Sequence, residues 1–197
     1  MKYDTVHGRA EVPVGSEGDF LLVDGQRIRV FAEPDPGALP FGALGAELVL
    51  ECTGRFTRRL DAARHLRDGV RRVLISEASP DADRTLILGV NEGSLDPARD
   101  QVISAASGPA LCLAPLVKVL DDAFGLDHGF LTAVHSHTND QRILDLPHGD
   151  LRLMRAAALN MIPTGTPAAG DLGRVLPHLE GRLAGLVVAI CGDIAHS

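Results

Sequence analysis

An α/β fold built on a parallel sheet is the architecture that this 197-residue sequence predicts. Two observations carry the prediction. Short apolar runs alternate with amphipathic stretches through the first half of the chain, and each run is bounded by Gly or Pro. A strand that feeds a helix and returns beside the first strand produces this rhythm, because its sheet is covered on both faces.

The elements follow in order. Residues 28–31 and 47–51 read as strands, 57–67 as a polar amphipathic helix, and 72–76, 86–90 and 101–104 as further strands of the parallel pattern. The break at 104–109 introduces a helix. Ser107 or Gly108 caps it, Pro109 sits in its first turn, and Leu111, Leu113, Leu116, Val117, Leu120 and Phe124 supply its apolar face. Residues 126–135 read as a long strand and 136–155 as a polar, irregular segment long enough to be a functional loop. A helix over 168–179 and a buried strand over 183–190 complete the pattern.

Composition narrows the function classes. With 45% hydrophobic and 23% charged residues the chain can fill one or two small cores. A formal net charge of −7 with scattered Lys and Arg excludes a nucleic-acid partner, which requires clustered cations. The late apolar run 183–191 is too short to cross a bilayer, and no charged-then-apolar leader follows Met1, so the expectation is a cytoplasmic protein without a membrane partner. The three cysteines, Cys52, Cys112 and Cys191, are far apart and lie in or beside apolar runs, which reads as reduced core thiols. A strand that stays apolar to residue 190, and a start at KYDTVHGR with no GxGxxG turn ahead of it, read as truncation at both ends.

Six blocks stand in one order: KYDTVHGR at 2–9, ECTGRF at 51–56, SAAS at 104–107, CLAPLVKVL at 112–120, VHSHTNDQR at 134–142 and RAAALNMIP at 155–163. In order and spacing they resemble the type I phosphorylating glyceraldehyde-3-phosphate dehydrogenases. The resemblance implies a partial Rossmann NAD-binding domain over 1–107, lacking its first βαβ turn, followed by a partial α+β catalytic domain over 108–197. It implies NAD as cofactor, a small phosphorylated aldehyde and phosphate as substrates in carbohydrate metabolism, and a homo- or hetero-oligomer. The family's glycine-rich turn, which brings backbone N–H groups to the pyrophosphate, has no counterpart here, so weak or absent NAD binding is expected.

Residue by residue, the resemblance puts the family's nucleophilic cysteine at Gly108, in the block Ser107-Gly108-Pro109-Ala110-Leu111-Cys112. Glycine has no group to add to an aldehyde, so no thioester forms for phosphate to attack. Cys112 lies one turn on, about 6 Å along the helix, but matches a second cysteine that is structural in the family. His135 falls on the general-base histidine. Its H-x-H pairing with His137, with Asp140 and His148 downstream, has metal-like spacing, but the resemblance accounts for His135 without metal and none is expected. Thr138 matches a holder of the substrate phosphate, and Ser107 and Thr166 match the inorganic phosphate site. Pro167 replaces a glycine and Gly170 a lysine of that block, and Ala189 stands where the family has a phosphate-clamping arginine. Thr53, Gly54 and Ser76 match positions near the cofactor, although a Thr-Gly pair after a strand also suits any β-to-α turn. Arg155 and the segment before it resemble a reach toward a neighbouring subunit, or a solvated charge.

The expected function is therefore a degenerate dehydrogenase without activity. The alternative is a non-catalytic binding or assembly partner of intact homologues. Direct hydride transfer from an aldehyde hydrate with His135 as base needs no thiol, but it still needs a cofactor site. A poorly stable or oligomer-dependent chain is also expected, since native stability is a surplus of only about 5–15 kcal/mol.

Overall fold

The computed structural model describes residues 3–4, 8–138 and 141–190. Its backbone contacts divide into two compact units, Met1–Leu39 and Pro40–Ser197.

In the first unit, β1 (Tyr3–Asp4) pairs antiparallel with β2 (Gly8–Arg9). A meander follows, in which β4 (Phe20–Val23) lies between β3 (Val14–Glu17) and β5 (Gln26–Arg29), antiparallel to both. This corrects the expectation of a parallel-sheet strand at 28–31. The turn between β4 and β5 is Asp24-Gly25, with φ of 50° and 77°. Two successive positive φ values give the turn twist that suits a two-residue hairpin, and Asp-Gly supplies them at least cost. Antiparallel pairing is the direct consequence. Arg27 lies over the Phe20 ring at 4.4 Å, a diagonal contact between the two strands.

The second unit carries the predicted parallel sheet, in the order β6 (Leu48–Glu51), β7 (Arg72–Ile75), β9 (Val102–Ser104), β8 (Arg84–Thr85). All three pairings are parallel. Between β6 and β7 the expected helix over 57–67 shortens to α1 (Arg59–Ala62) and a 3-10 turn at Ala63–His65. The expected strand at 86–90 is instead the short β8, after which the chain turns. Gly89 has φ 79°, and the amide of Ile87 is taken by the Asn91 side chain at 2.8 Å, so these groups do not continue a ladder. Val49, Ala62, Val70, Val73, Ile75 and Val102 form the core beneath this sheet.

α2 (Gly108–Phe124) leaves the end of β9. Its buried residues are Ala110 and Ala114, flanked by half-buried Leu113 and Val117, a stripe at i, i+3, i+4, i+7. Leu111, Leu116, Leu120 and Phe124, expected to face the core, are exposed. The inward face is alanine because α2 packs on α3 (Ala168–Val175), and small side chains let two helices approach closely. A second sheet places β12 (Leu183–Ile190) between β10 (Gly129–Ser136) and β11 (Ile162–Thr164), parallel to the first and antiparallel to the second. The expected helix over 168–179 ends as α3, and a separate 3-10 turn covers Pro177–Leu179 because a proline at 177 lacks the N–H a continuing helix needs. Ile87, Ala106, Ala110, Ala168, Leu172, Val175 and Leu179 form the core shared by these elements.

Two outcomes test this account. A Cβ at Gly42 would collide with the backbone of Asp68 and Arg67, whereas one at Gly93 meets open space. Gly42→Ala is expected to lower the urea midpoint clearly while Gly93→Ala leaves it near the parent. The second concerns acid. Burial pushes the Asp83 carboxyl up, but its bonds from Arg59, Val102 and Gln101 outweigh this and hold it below the ordinary carboxylate range. The hydrogen bond from Arg84, then that from the Asp96 amide, lowers Asp100 likewise. A carboxylate depressed on folding contributes stability above its unfolded pKa of about 4 and loses it as pH falls through the folded value. Thermal midpoints should drop below about pH 4, and drop less steeply in Asp83→Asn.

Candidate functional site

Parallel strands deliver their following turns to one edge of a sheet, and the candidate residues lie there. Thr53 and Gly54 follow β6, Ser76 follows β7, and Ser107 and Gly108 follow β9. Glu51, at the end of β6, organises the first turn. Its Oε1 accepts from the Thr53 amide at 2.8 Å and from the Thr53 hydroxyl, while Oε2 meets His65 Nε2 at 3.2 Å. Glu51 and His65 are both buried, and Phe41 stacks on the imidazole with centroids 5.9 Å apart. Gly54 then turns with φ 69°, a conformation glycine adopts without Cβ strain. Ser76 is exposed, its amide donating to the Glu51 carbonyl at 3.0 Å.

The route from β9 into α2 is equally fixed. Fully buried Ser104 donates through Oγ to the Glu77 carbonyl at 2.8 Å and accepts from the Ala106 amide at 3.1 Å. Ala106, also fully buried, holds φ 65°, an uncommon conformation for a residue with Cβ. Ser107 adopts the extended N-cap conformation before α2, but its hydroxyl makes no capping bond. Instead Oγ is buried without a hydrogen-bond partner among the described residues, and the Ser107 amide donates to Asp171 Oδ2 at 2.9 Å. The expected capping role thus belongs to the backbone of Ser107 and not to its side chain. Gly108 opens the helix exposed, with free space where a Cβ would stand.

On the second sheet, half-buried His135 sits near the carboxyl end of β10, its Nδ1 2.7 Å from the Ser136 carbonyl. Its register partner on β12 is Ala189, which is buried. Thr138, two residues beyond β10, donates its amide to Gln141 Oε1 at 3.0 Å. Thr166 accepts the Ala168 amide on Oγ1 at 3.1 Å ahead of α3, with Pro167 as the N-cap residue and Gly170 exposed within the helix. The link from Ser107 to Asp171 ties the start of α2 to α3, the helix that Thr166 precedes. Arg155 is exposed and paired with Asp145 at 2.9 Å.

Among the described residues no group of three or more His, Cys, Asp or Glu side chains could hold a metal ion. His148 Nδ1 accepts the Asp150 amide at 3.0 Å, and Asp140 lies outside the described residues. The expectation of core thiols is corrected for two of the three cysteines. Cys52 and Cys112 are exposed, the first in the turn after β6 and the second on the face of α2 opposite its alanine stripe, while Cys191 lies outside the described residues. Among the described residues, no helix is long and apolar enough to cross a membrane.

Three residues that organise the site escaped sequence reasoning: Glu51, His65 and Asp171. The signal for the last was present. Asp171 occupies the stripe Ala168, Asp171, Leu172, Val175, all buried, so a carboxylate stands where periodicity calls for an apolar residue.

A parallel sheet whose following turns carry hydroxyls, and a second sheet bearing a histidine near its carboxyl end, define an α/β protein. Residues 1–59 match the family described as glyceraldehyde 3-phosphate dehydrogenase, NAD binding domain, and residues 107–196 match the glyceraldehyde 3-phosphate dehydrogenase C-terminal domain. The chain is 52% identical over 185 residues to a glyceraldehyde-3-phosphate dehydrogenase of Priestia megaterium, an alignment covering 94% of this chain and 55% of that one. It is 50% identical over 190 residues to one of Geobacillus stearothermophilus, covering 96% and 57%. A relative from Streptomyces coelicolor is 48% identical over 96% of this chain and 56% of its own length. The chain belongs to the glyceraldehyde-3-phosphate dehydrogenase family, and it spans little more than half the length of these curated relatives.

The buried pair beneath the Thr53 turn yields a prediction. Removing one partner leaves the other buried and unsatisfied, at a cost of about 1–3 kcal/mol. Glu51→Ala should therefore destabilise more than Thr53→Ala, measured as the shift in thermal midpoint.

Proposed function

We propose that this chain is a member of its family in which the dehydrogenase chemistry is lost, because the position of the nucleophile, at the first turn of α2, is occupied by Gly108. Hydrogen as a side chain offers no atom to bond a carbonyl carbon and later release it as an acyl phosphate. In this reading residues 1–107 form the NAD-binding part and 108–197 the catalytic part. His135 keeps the base position, and Ser107, Thr138 and Thr166 keep phosphate positions. The charge that would clamp a phosphorylated substrate is missing at Ala189, where a buried methyl stands.

Thr53, Gly54 and Ser76 are the positions that would face NAD, the hydride acceptor of the family reaction. They follow the carboxyl ends of adjacent parallel strands, as a dinucleotide site requires. A cytoplasmic setting accords with the family's phosphorylated substrates.

A second reading, assembly with copies of this chain or with longer homologues, is favoured by one observation. Phe130, Val134 and Leu186 on the second sheet, and Leu111, Leu116, Val119 and Phe124 on α2, are large apolar side chains left exposed.

Incubation with glyceraldehyde 3-phosphate, NAD and phosphate is expected to give no NADH and no acyl adduct by intact-protein mass spectrometry. Turnover that disappears in His135→Ala would overturn the proposal. For the assembly reading, co-elution with the Geobacillus stearothermophilus relative in size-exclusion chromatography is expected, and separate elution would count against it.

A further inference from the structure

The buried carboxylate of Asp171 has no part in the chemistry described above. It is fully buried, and its two oxygens are both engaged, Oδ2 by the Ser107 amide at 2.9 Å and Oδ1 by Arg174 Nη1 at 2.9 Å. Arg174, partly exposed, extends Nη2 to the Pro80 carbonyl at 3.4 Å. The carboxylate therefore stands at the start of a 17-residue helix, bridging segments 64 residues apart.

The charge has a natural place there. The unpaired N–H groups of a helix start carry partial positive charge, and an anion beside them is stabilised. In α2 one of these donors is absent, because Pro109 has no N–H. Two groups at this point are suited to a small oxyanion: the Ser107 amide, already taken by Asp171, and the hydroxyl of Ser107, a residue 93% buried, which has no partner among the described residues. A buried hydroxyl without a partner costs free energy, and here one stands beside an amide whose acceptor is a carboxylate supplied from within the chain.

We propose that Asp171 is an internal counter-anion that closes the start of α2 to phosphate, so that this chain excludes small oxyanions at a point where Ser107 and Arg174 would otherwise hold one. The inference rests on the reading of Ser107 as an oxyanion position. A second negative charge placed within a few ångströms of the Asp171 carboxylate is repelled, and it finds the Ser107 amide and one Arg174 nitrogen already occupied. Neutralising residue 171 leaves the guanidinium and the hydroxyl available without the repulsion.

The test uses inorganic phosphate and the full chain labelled with 15N, following the Ser107 amide by NMR, with Asp171→Asn and the smaller Asp171→Ser as variants. Thermal melts and the dispersion of the spectra establish that each variant is folded. The natural chain is expected to show no saturable shift at Ser107 across a phosphate titration. A folded Asp171→Asn or Asp171→Ser is expected to show one, with apparent affinity at least about tenfold above the parent, as removal of a like charge at short range requires. Saturable phosphate binding at Ser107 in the natural chain overturns the proposal, and this arm stands even where neither variant folds. Folded variants that bind no more phosphate than the parent overturn it as well. Binding is read without turnover, so its outcome leaves the loss of dehydrogenase chemistry untouched, and NADH formation by the natural chain would refute that loss without deciding how Asp171 acts.

Discussion

Parallel pairing of β6, β7 and β9 fixes where the turns after these strands meet. Strands running the same way must release their turns at the same edge, so Thr53, Ser76 and Ser107 arrive there although they lie far apart in the chain. Each arrival is then locked by polar bonds beneath it. Glu51 holds the first turn from below, and Ser104 ties the segment at Glu77 to the bend at Ala106. The left-handed Ala106 is the point at which the chain leaves the sheet for α2, and burial on all sides maintains its conformation.

From that bend the two sheets are coupled through one helix pair. The alanine stripe of α2 lets α3 approach, Leu172 and Val175 complete the apolar contact, and the Asp171 carboxylate adds a polar link from α3 to the Ser107 amide at the start of α2. A buried charge is tolerated because it is paired and hydrogen-bonded, and such a pair specifies an arrangement more than it adds stability. At the start of α2 stands the exposed Gly108, and beside His135 on the second sheet stands the buried Ala189.

Much of the fold was legible. The runs at 47–51, 72–76 and 101–104 became β6, β7 and β9 with small changes at their ends, and residues 183–190 became β12, because an apolar run bounded by glycine constrains a strand directly, although only Val187 and Ala189 of the expected buried strand are buried. The run at 28–31 misled because its β-type composition carries no information on pairing direction, which Asp24-Gly25 decides. In α2 the leucines misled for a different reason. Hydropathy ranks leucine above alanine, but close helix packing selects the smaller side chain.

The sequence by itself determined the identity of the chemistry-bearing atoms: a glycine at 108, a histidine at 135, an alanine at 189, and the family to which their order belongs. Those are covalent facts, independent of conformation. Only the tertiary structure decided that Glu51 closes on His65, that Cys112 faces outward, and that Asp171 reaches a backbone amide 64 residues away. Burial and hydrogen-bond partners are properties of packed neighbours, and neighbours distant in the chain leave no periodic trace in it.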